Sequence, residues 1–232
     1  MSDKFFGFTA KHPIWVILAF LSFTLLAASG AQKLVFKSDY RIFFDEDNPE
    51  LIAYDSIQKI YNKSDNVTFI VVPKDGDVFT QDHLAALNKL TNQSWQVPYS
   101  TRVDSLTNFQ YTYAEEDDMI VEDLVMNARS LSAADVTKIK HIALNEPQLA
   151  NKIVSKSGHV SVVDIAVKLP GLDPAAEFPE VAAYVRKIKE EFLIVNPGTK
   201  IHLSGMVMLN NAFTEAAMTD GSTLIPLMFL TV

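Results

Sequence analysis

The sequence contains no cysteine. That absence excludes a disulfide-stapled scaffold and any thiolate metal site, and it leaves the redox compartment undecided. Glycine is scarce too: eight residues, dispersed, with no GxGxxG, P-loop or GxSxG spacing to cradle a phosphate or present a nucleophile. Basic residues are outnumbered, 20 Lys and Arg against 28 Asp and Glu, for a formal net charge of −8. That balance supplies no clustered basic face, so no nucleic-acid partner is expected, and the acids read as a solvated surface. Charge is missing altogether from two stretches, Pro13–Ala31 and Leu224–Val232.

What is present is apolar sequence, 48% of 232 residues, concentrated at the two ends. That length holds one large domain or two small ones. PIWVILAFLSFTLLAASGA (Pro13–Ala31) covers about 28 Å as a helix, close to the ~30 Å hydrocarbon core of a bilayer. Lys4, Lys11 and His12 precede it and place the N-terminus in the cytoplasm, with Trp15 at interfacial depth. A cleaved signal peptide ending at Ser29-Gly30-Ala31 is the rival reading, and either one exports the chain beyond it. After Gly221, STLIPLMFLTV covers only about 16 Å and reads as the start of a second span, where Pro226 is tolerable. The expected organisation is a cytoplasmic leader (1–12), a transmembrane helix (13–31), an exported domain (33–211) and a truncated second transmembrane helix (222–232).

Inside the exported part, helix and strand signals alternate. Asp45-Glu46-Asp47-Asn48-Pro49 offers acceptors for a helix reaching Tyr61, with Leu51, Tyr54, Ile57 and Tyr61 on its buried stripe. Asn66–Pro73 is a buried strand, and Thr80 caps a helix with Leu84, Leu87 and Leu90 inward. A strand is expected over Arg102–Leu106, then an acidic turn at Glu115–Asp118. Ser132 with Asp135 forms a capping arrangement for a helix to about Ala143, and a short helix comes after Pro147. Val163, Ile165, Val167 and Leu169 alternate as a half-buried strand, and Leu172–Pro179 is a Pro-rich loop. Val181, Val185, Ile188 and Phe192 mark a helix stopped by Asn196-Pro197-Gly198, and Ile201, Leu203 and Gly205 a last strand. The expected fold class is α+β: two βαβ units side by side, approximately 33–130 and 131–211, each with helices on one face of a sheet.

Candidate chemistry is thin. Asp45 and Asp47 begin a calcium-loop-like run, but Glu50 and Ser56 stand where Gly and Glu are needed, so helix capping is the reading. Glu115–Asp118 could likewise bind a cation, but an exposed turn is the reading. His12, His83, His141, His159 and His202 form no ligand-spaced pair. Phe43, Phe44, Phe109, Tyr111 and Tyr113 could line an apolar ligand path, but core or interface packing is the reading taken for them. No catalytic, cofactor or metal residue is assigned, and no enzymatic activity is expected.

Four stretches in order carry a resemblance: FFDEDNPELIAYDSIQKIY from Phe43, RVDSLTNFQY from Arg102, ALNEPQLANKIVSKSGHVSVVDIAV from Ala143, and LSGMVMLNNAFTEAAMTDGSTLIPLMFL from Leu203. With the first apolar run, they resemble the N-terminal segment of bacterial exporters of the resistance-nodulation-division superfamily. The nearest branch is the one related to the mycobacterial-membrane-protein-large and hopanoid transporters. The resemblance implies about twelve spans in two halves, each with a periplasmic porter domain of ferredoxin-like βαβ subdomains after its first span. It further implies proton-driven export of lipids or other hydrophobic compounds from the inner membrane. Proton-relay acids belong to later spans, so Glu215 and Asp220 are assigned no such role. The expected partners are the bilayer, a hydrophobic substrate and the rest of the transporter, with oligomerisation left open. A self-contained, membrane-tethered periplasmic binding or assembly module is the alternative.

Overall fold

A computed structural model describes residues 12–30, 44–45, 47–61 and 65–231. The chain divides into two units, Met1–Phe36 and Lys37–Val232.

The first unit contains helix α1, Pro13–Ser29, with no charged residue in its 17 positions. Its large apolar side chains point outward all round: Ile14, Trp15, Phe20, Phe23 and Leu26 are all well exposed. The hydroxyls of Thr24 and Ser29 donate to the carbonyls of Phe20 and Leu26, so these two polar side chains are satisfied within the helix. At 17 residues α1 measures about 26 Å. Among the described residues no helix is long and apolar enough to cross a membrane.

The second unit is α+β. Helix α2, Pro49–Tyr61, starts where the Asn48 side chain accepts the N–H groups of Glu50 and Leu51. Strand β1 (Asp65–Val72), helix α3 (Gln81–Ser94) and strand β2 (Ser100–Ser105) form the first βαβ; β5 (Ser161–Val167), α5 (Pro174–Val195) and β6 (Lys200–Ser204) form the second. Between them lie a hairpin, β3 (Gln110–Glu115) and β4 (Asp118–Asp123), and helix α4 (Ala133–Asn145). Helix α6, Met206–Thr231, closes the described chain.

The strand order β2-β5-β1-β6, with every neighbour antiparallel, corrects the expectation of two units side by side. Strands from 33–130 and from 131–211 alternate across one sheet, giving a single βαββαβ, ferredoxin-like domain. The reason is burial. Val67, Phe69 and Val71 on β1 align with Val163 and Ile165 on one side and with Ile201 on the other. Separate two-stranded units would leave those edges open to water. Helices α3 and α5 cover this face with Leu84, Leu87, Leu90 and with Val181, Val185, Ile188, Phe192. On the opposite face the Asp164 carboxylate accepts from Asn66 Nδ2 (2.9 Å) and Thr68 Oγ1 (2.5 Å).

Four further expectations are corrected. Leu172–Pro179 is mostly helical: Pro174 sits at the start of α5, and the buried Glu177 carboxylate accepts the N–H groups of Gly171, Leu172 and Asp173. The short helix expected directly after Pro147 does not form; buried Leu149 and the bridges of Val154 to Ala150 and Ser161 hold a run of turns instead. On α2, Tyr54 and Ile57 are exposed, while Leu51, Asp55 and Gln58 are turned partly inward; apolar residues ring this helix, so spacing alone did not choose its face. The last helix begins at Met206, not near 222. Gly205 makes the turn into it at φ +105°, where a Cβ would stand 2.4 Å from the Asn66 carbonyl oxygen. Asn66 Oδ1 accepts the Met206 N–H, which pins the start of α6 to β1.

Candidate functional site

The second unit contains a groove of ≈ 750 Å³ between the outer face of α3, the β2–β3 turn, the base of the hairpin and the turns at 148–153. Its floor is laid by local sequence. In Ser105-Leu106-Thr107-Asn108, the Asn108 Oδ1 accepts the Ser105 N–H (2.8 Å), and its Nδ2 donates to the Val103 carbonyl (2.7 Å). The chain therefore closes its own turn. Three buried hydroxyls, Thr91, Ser105 and Thr107, sit 2.9, 3.0 and 2.9 Å apart and lock that turn to α3.

The walls are polar and held in place. Asn92 Nδ2 donates to Asn88 Oδ1 (3.2 Å), one turn apart on α3. Opposite them Gln110 Nε2 donates to Asp123 Oδ1 across the hairpin base, and Arg102 Nε donates to Asp104 Oδ1 (2.8 Å). Trp95, just past the end of α3, is 45% exposed on the rim. A smaller cleft of ≈ 280 Å³ lies on the other side of the hairpin base, between Tyr111, Leu124 and α4. There Tyr111 and Tyr113 stack at 5.6 Å between ring centroids, and Lys138 Nζ lies 5.5 Å from the Tyr113 ring.

A serine–histidine pair also appears, which sequence reading passed over because the two residues are 78 positions apart. His83 Nε2 lies 3.1 Å from Ser161 Oγ. Ser161 is wholly buried, and His83 is nearly so, at the edge of a depression it lines with Asp77, Thr80 and Asp82. Burial pushes the His83 imidazole down from 6.5 to about 4, with the negative charge of Asp77 opposing. The pair joins α3 to β5. On the surface, Arg186 of α5 grips Glu215 of α6 through two hydrogen bonds, 2.6 and 3.0 Å. That contact, with help from Asn211, pulls the Glu215 carboxyl down from 4.5 to about 2.

The sequence candidates separate accordingly. Phe109 lines the groove, and Tyr111 and Tyr113 continue from it onto the hairpin. Phe44 is half exposed, and Phe43 lies outside the described residues. Asp45 accepts the Asn48 N–H in the turn before α2. Glu115–Asp118 form the tip of the hairpin, with Glu116 at φ 53°. Among the described residues no group of three or more His, Asp or Glu is placed to hold a metal ion. The groove itself carried no sequence signal, since its five amides come from three separate segments, α3, the β2–β3 turn with the start of β3, and the turns at 148–153. No protein-family model matches the chain, and no curated protein matches it.

Proposed function

We propose that the chain is the N-terminal part of a proton-driven exporter of lipids or other hydrophobic compounds in the bacterial inner membrane, contributing its first periplasmic porter domain. The observation that carries this reading is α1. A charge-free helix with bulky apolar side chains exposed on every side has no reason to exist in water, and its Thr24 and Ser29 hydroxyls are bonded within the helix. Its 17 residues cover about 26 Å, short of the ~30 Å hydrocarbon core, so the reading requires local bilayer thinning or flanking residues to supply the rest of the span. A βαββαβ domain comes next and leads without a break into α6, whose far end exposes Leu224, Leu227 and Met228. The resemblance of the four ordered stretches supplies the exporter class, the proton coupling and the substrate class.

The absence of cysteine makes the topology directly testable. In intact cells, a membrane-impermeant maleimide should label Lys156→Cys and leave Lys4→Cys untouched until the membrane is permeabilised. Equal labelling of both would sink the reading. Leu227→Cys separates the exporter from the tethered module: shielding in both states supports a second span, and free labelling supports the module. In proteoliposomes of the full-length transporter, an imposed pH gradient should accelerate movement of a fluorescent lipid, and a gradient-insensitive rate counts against proton coupling.

A further inference from the structure

We propose that the groove beside the hairpin is a binding site for a neutral saccharide. The proposal stands on the groove alone and goes beyond the exporter reading.

Three observations carry it. The first is charge: Arg102 and Lys152 face Asp104 and Asp123, two basic groups against two acidic, so the lining is neutral in a molecule of net charge −8. Neither an anion nor a cation is selected by such a wall. The second is the density of side-chain amides. Asn88, Asn92, Gln110 and Gln148 line this groove beside Asn108, whose amide is committed to its own turn, and Gln93, Gln96 and Asn127 continue the series in a neighbouring depression that shares Asn88 and Asn92. An amide presents a donor and an acceptor side by side, the pattern that a pair of adjacent sugar hydroxyls requires. The third is Trp95, an aromatic left 45% exposed on the rim, which offers a flat apolar platform for the C–H face of a pyranose ring.

The remainder of the lining favours the same chemistry. Eleven of its sixteen residues are polar and five are apolar, a mixed lining of the kind that the hydroxyl edges and C–H faces of a sugar both require. The walls are pre-ordered by the Asn88–Asn92, Gln110–Asp123 and Arg102–Asp104 contacts, and the floor by its hydroxyl triangle. Fewer side chains then have to be immobilised when a ligand arrives. A space of ≈ 750 Å³ admits a di- or trisaccharide, free or carried as the headgroup of a lipid.

Saturation-transfer NMR on the full chain in a sugar-free detergent tests this, with maltotriose and chitotriose as neutral probes. Trigalacturonate serves as the anionic counter-probe and tetra-alanine as the peptide counter-probe. Saturation transfer to a neutral sugar is expected, weakened about tenfold by Trp95→Ala and retained by Trp95→Phe. Asn92→Ala, at an exposed position, should weaken it without touching the core. No transfer to either neutral sugar at about 10 mM together with no binding of digalactosyl diacylglycerol in nanodiscs, equal transfer to a counter-probe, or indifference to both Trp95→Ala and Asn92→Ala would overturn the proposal. Binding of free digalactose assigns the site to free sugars, and binding only of digalactosyl diacylglycerol in nanodiscs assigns it to a lipid headgroup. Because these readouts involve neither topology nor a pH gradient, they can fail while the exporter reading stands, and the reverse.

Discussion

The four-stranded sheet and the β3–β4 hairpin are both antiparallel and both alternate in side-chain direction, yet only one of them has an interior. In the sheet, every second residue of β1 and β5 is buried beneath α3 and α5. In the hairpin, one face is half-covered (Tyr111, Tyr113, Ile120, Glu122) and the other, with Met119 and Val121, is open. Alternation therefore sets which side chains share a face, and a second layer sets whether that face is dry. A two-stranded ribbon alone is marginal. This one is anchored at its base, where the Leu124 N–H donates to the Phe109 carbonyl (2.8 Å) and Leu124 and Val125 are buried.

Substitutions can test the contrast, beginning where the effect should be greatest. Phe69→Ala at the centre of the sheet, a fully buried site, should cost about 3–5 kcal/mol in chemical denaturation. A loss under about 1 kcal/mol would mean that the sheet is not the core. Acid should come next. His83 is held near 4 in the fold against 6.5 when free, so the unfolded chain binds the extra proton first. Stability should be intact above 6.5 and fall by about 3 kcal/mol as pH drops to 4, and His83→Gln should flatten that fall. The Arg186–Glu215 pair acts in a lower window, from 4.5 toward 2, and contributes about 1 kcal/mol or less because both groups are half exposed. Smallest of all, Tyr113→Ala on the hairpin should cost less than about 1 kcal/mol by the same denaturation. A loss as large as that of Phe69→Ala would show the hairpin to be part of the cooperative core.

Much of the fold was legible residue by residue. Thr80 caps α3, accepting the His83 N–H; Ser132 and Asp135 form the reciprocal capping box of α4; and Leu84, Leu87 and Leu90 are fully buried. These signals are local, set by one side chain and the backbone within four residues of it. What escaped was non-local. Nothing in the spacing of Val67 and Phe69 names Val163 or Leu203 as the flanking partners, so the interleaving of the two halves was missed. Glu177 was missed for a related reason, since a carboxylate that closes the preceding loop looks in sequence like any surface acid. The groove depends on both kinds of information. Asn108 sets a local turn, but the approach of Asn92 to Gln110 and Gln148 depends on how α3 and the hairpin pack.

The interleaved strand order also dictates when this domain can come into being. Phe69 sits opposite Leu203, 134 positions later (203 − 69), so β1 waits on one side for a strand made almost at the end of the described chain. During synthesis the first βαβ emerges with both edges of β1 exposed, and every residue of the inserted hairpin and α4 must pass before β5, and then β6, can cover them. Long-range closures of this kind slow folding and lengthen the interval in which a sticky edge is open to a neighbouring chain. Gly205 and Asn66 then couple the last event to the next, because the turn that seats α6 forms only on a β1 already in place. Completion of the sheet and launch of the final helix are thus a single late step.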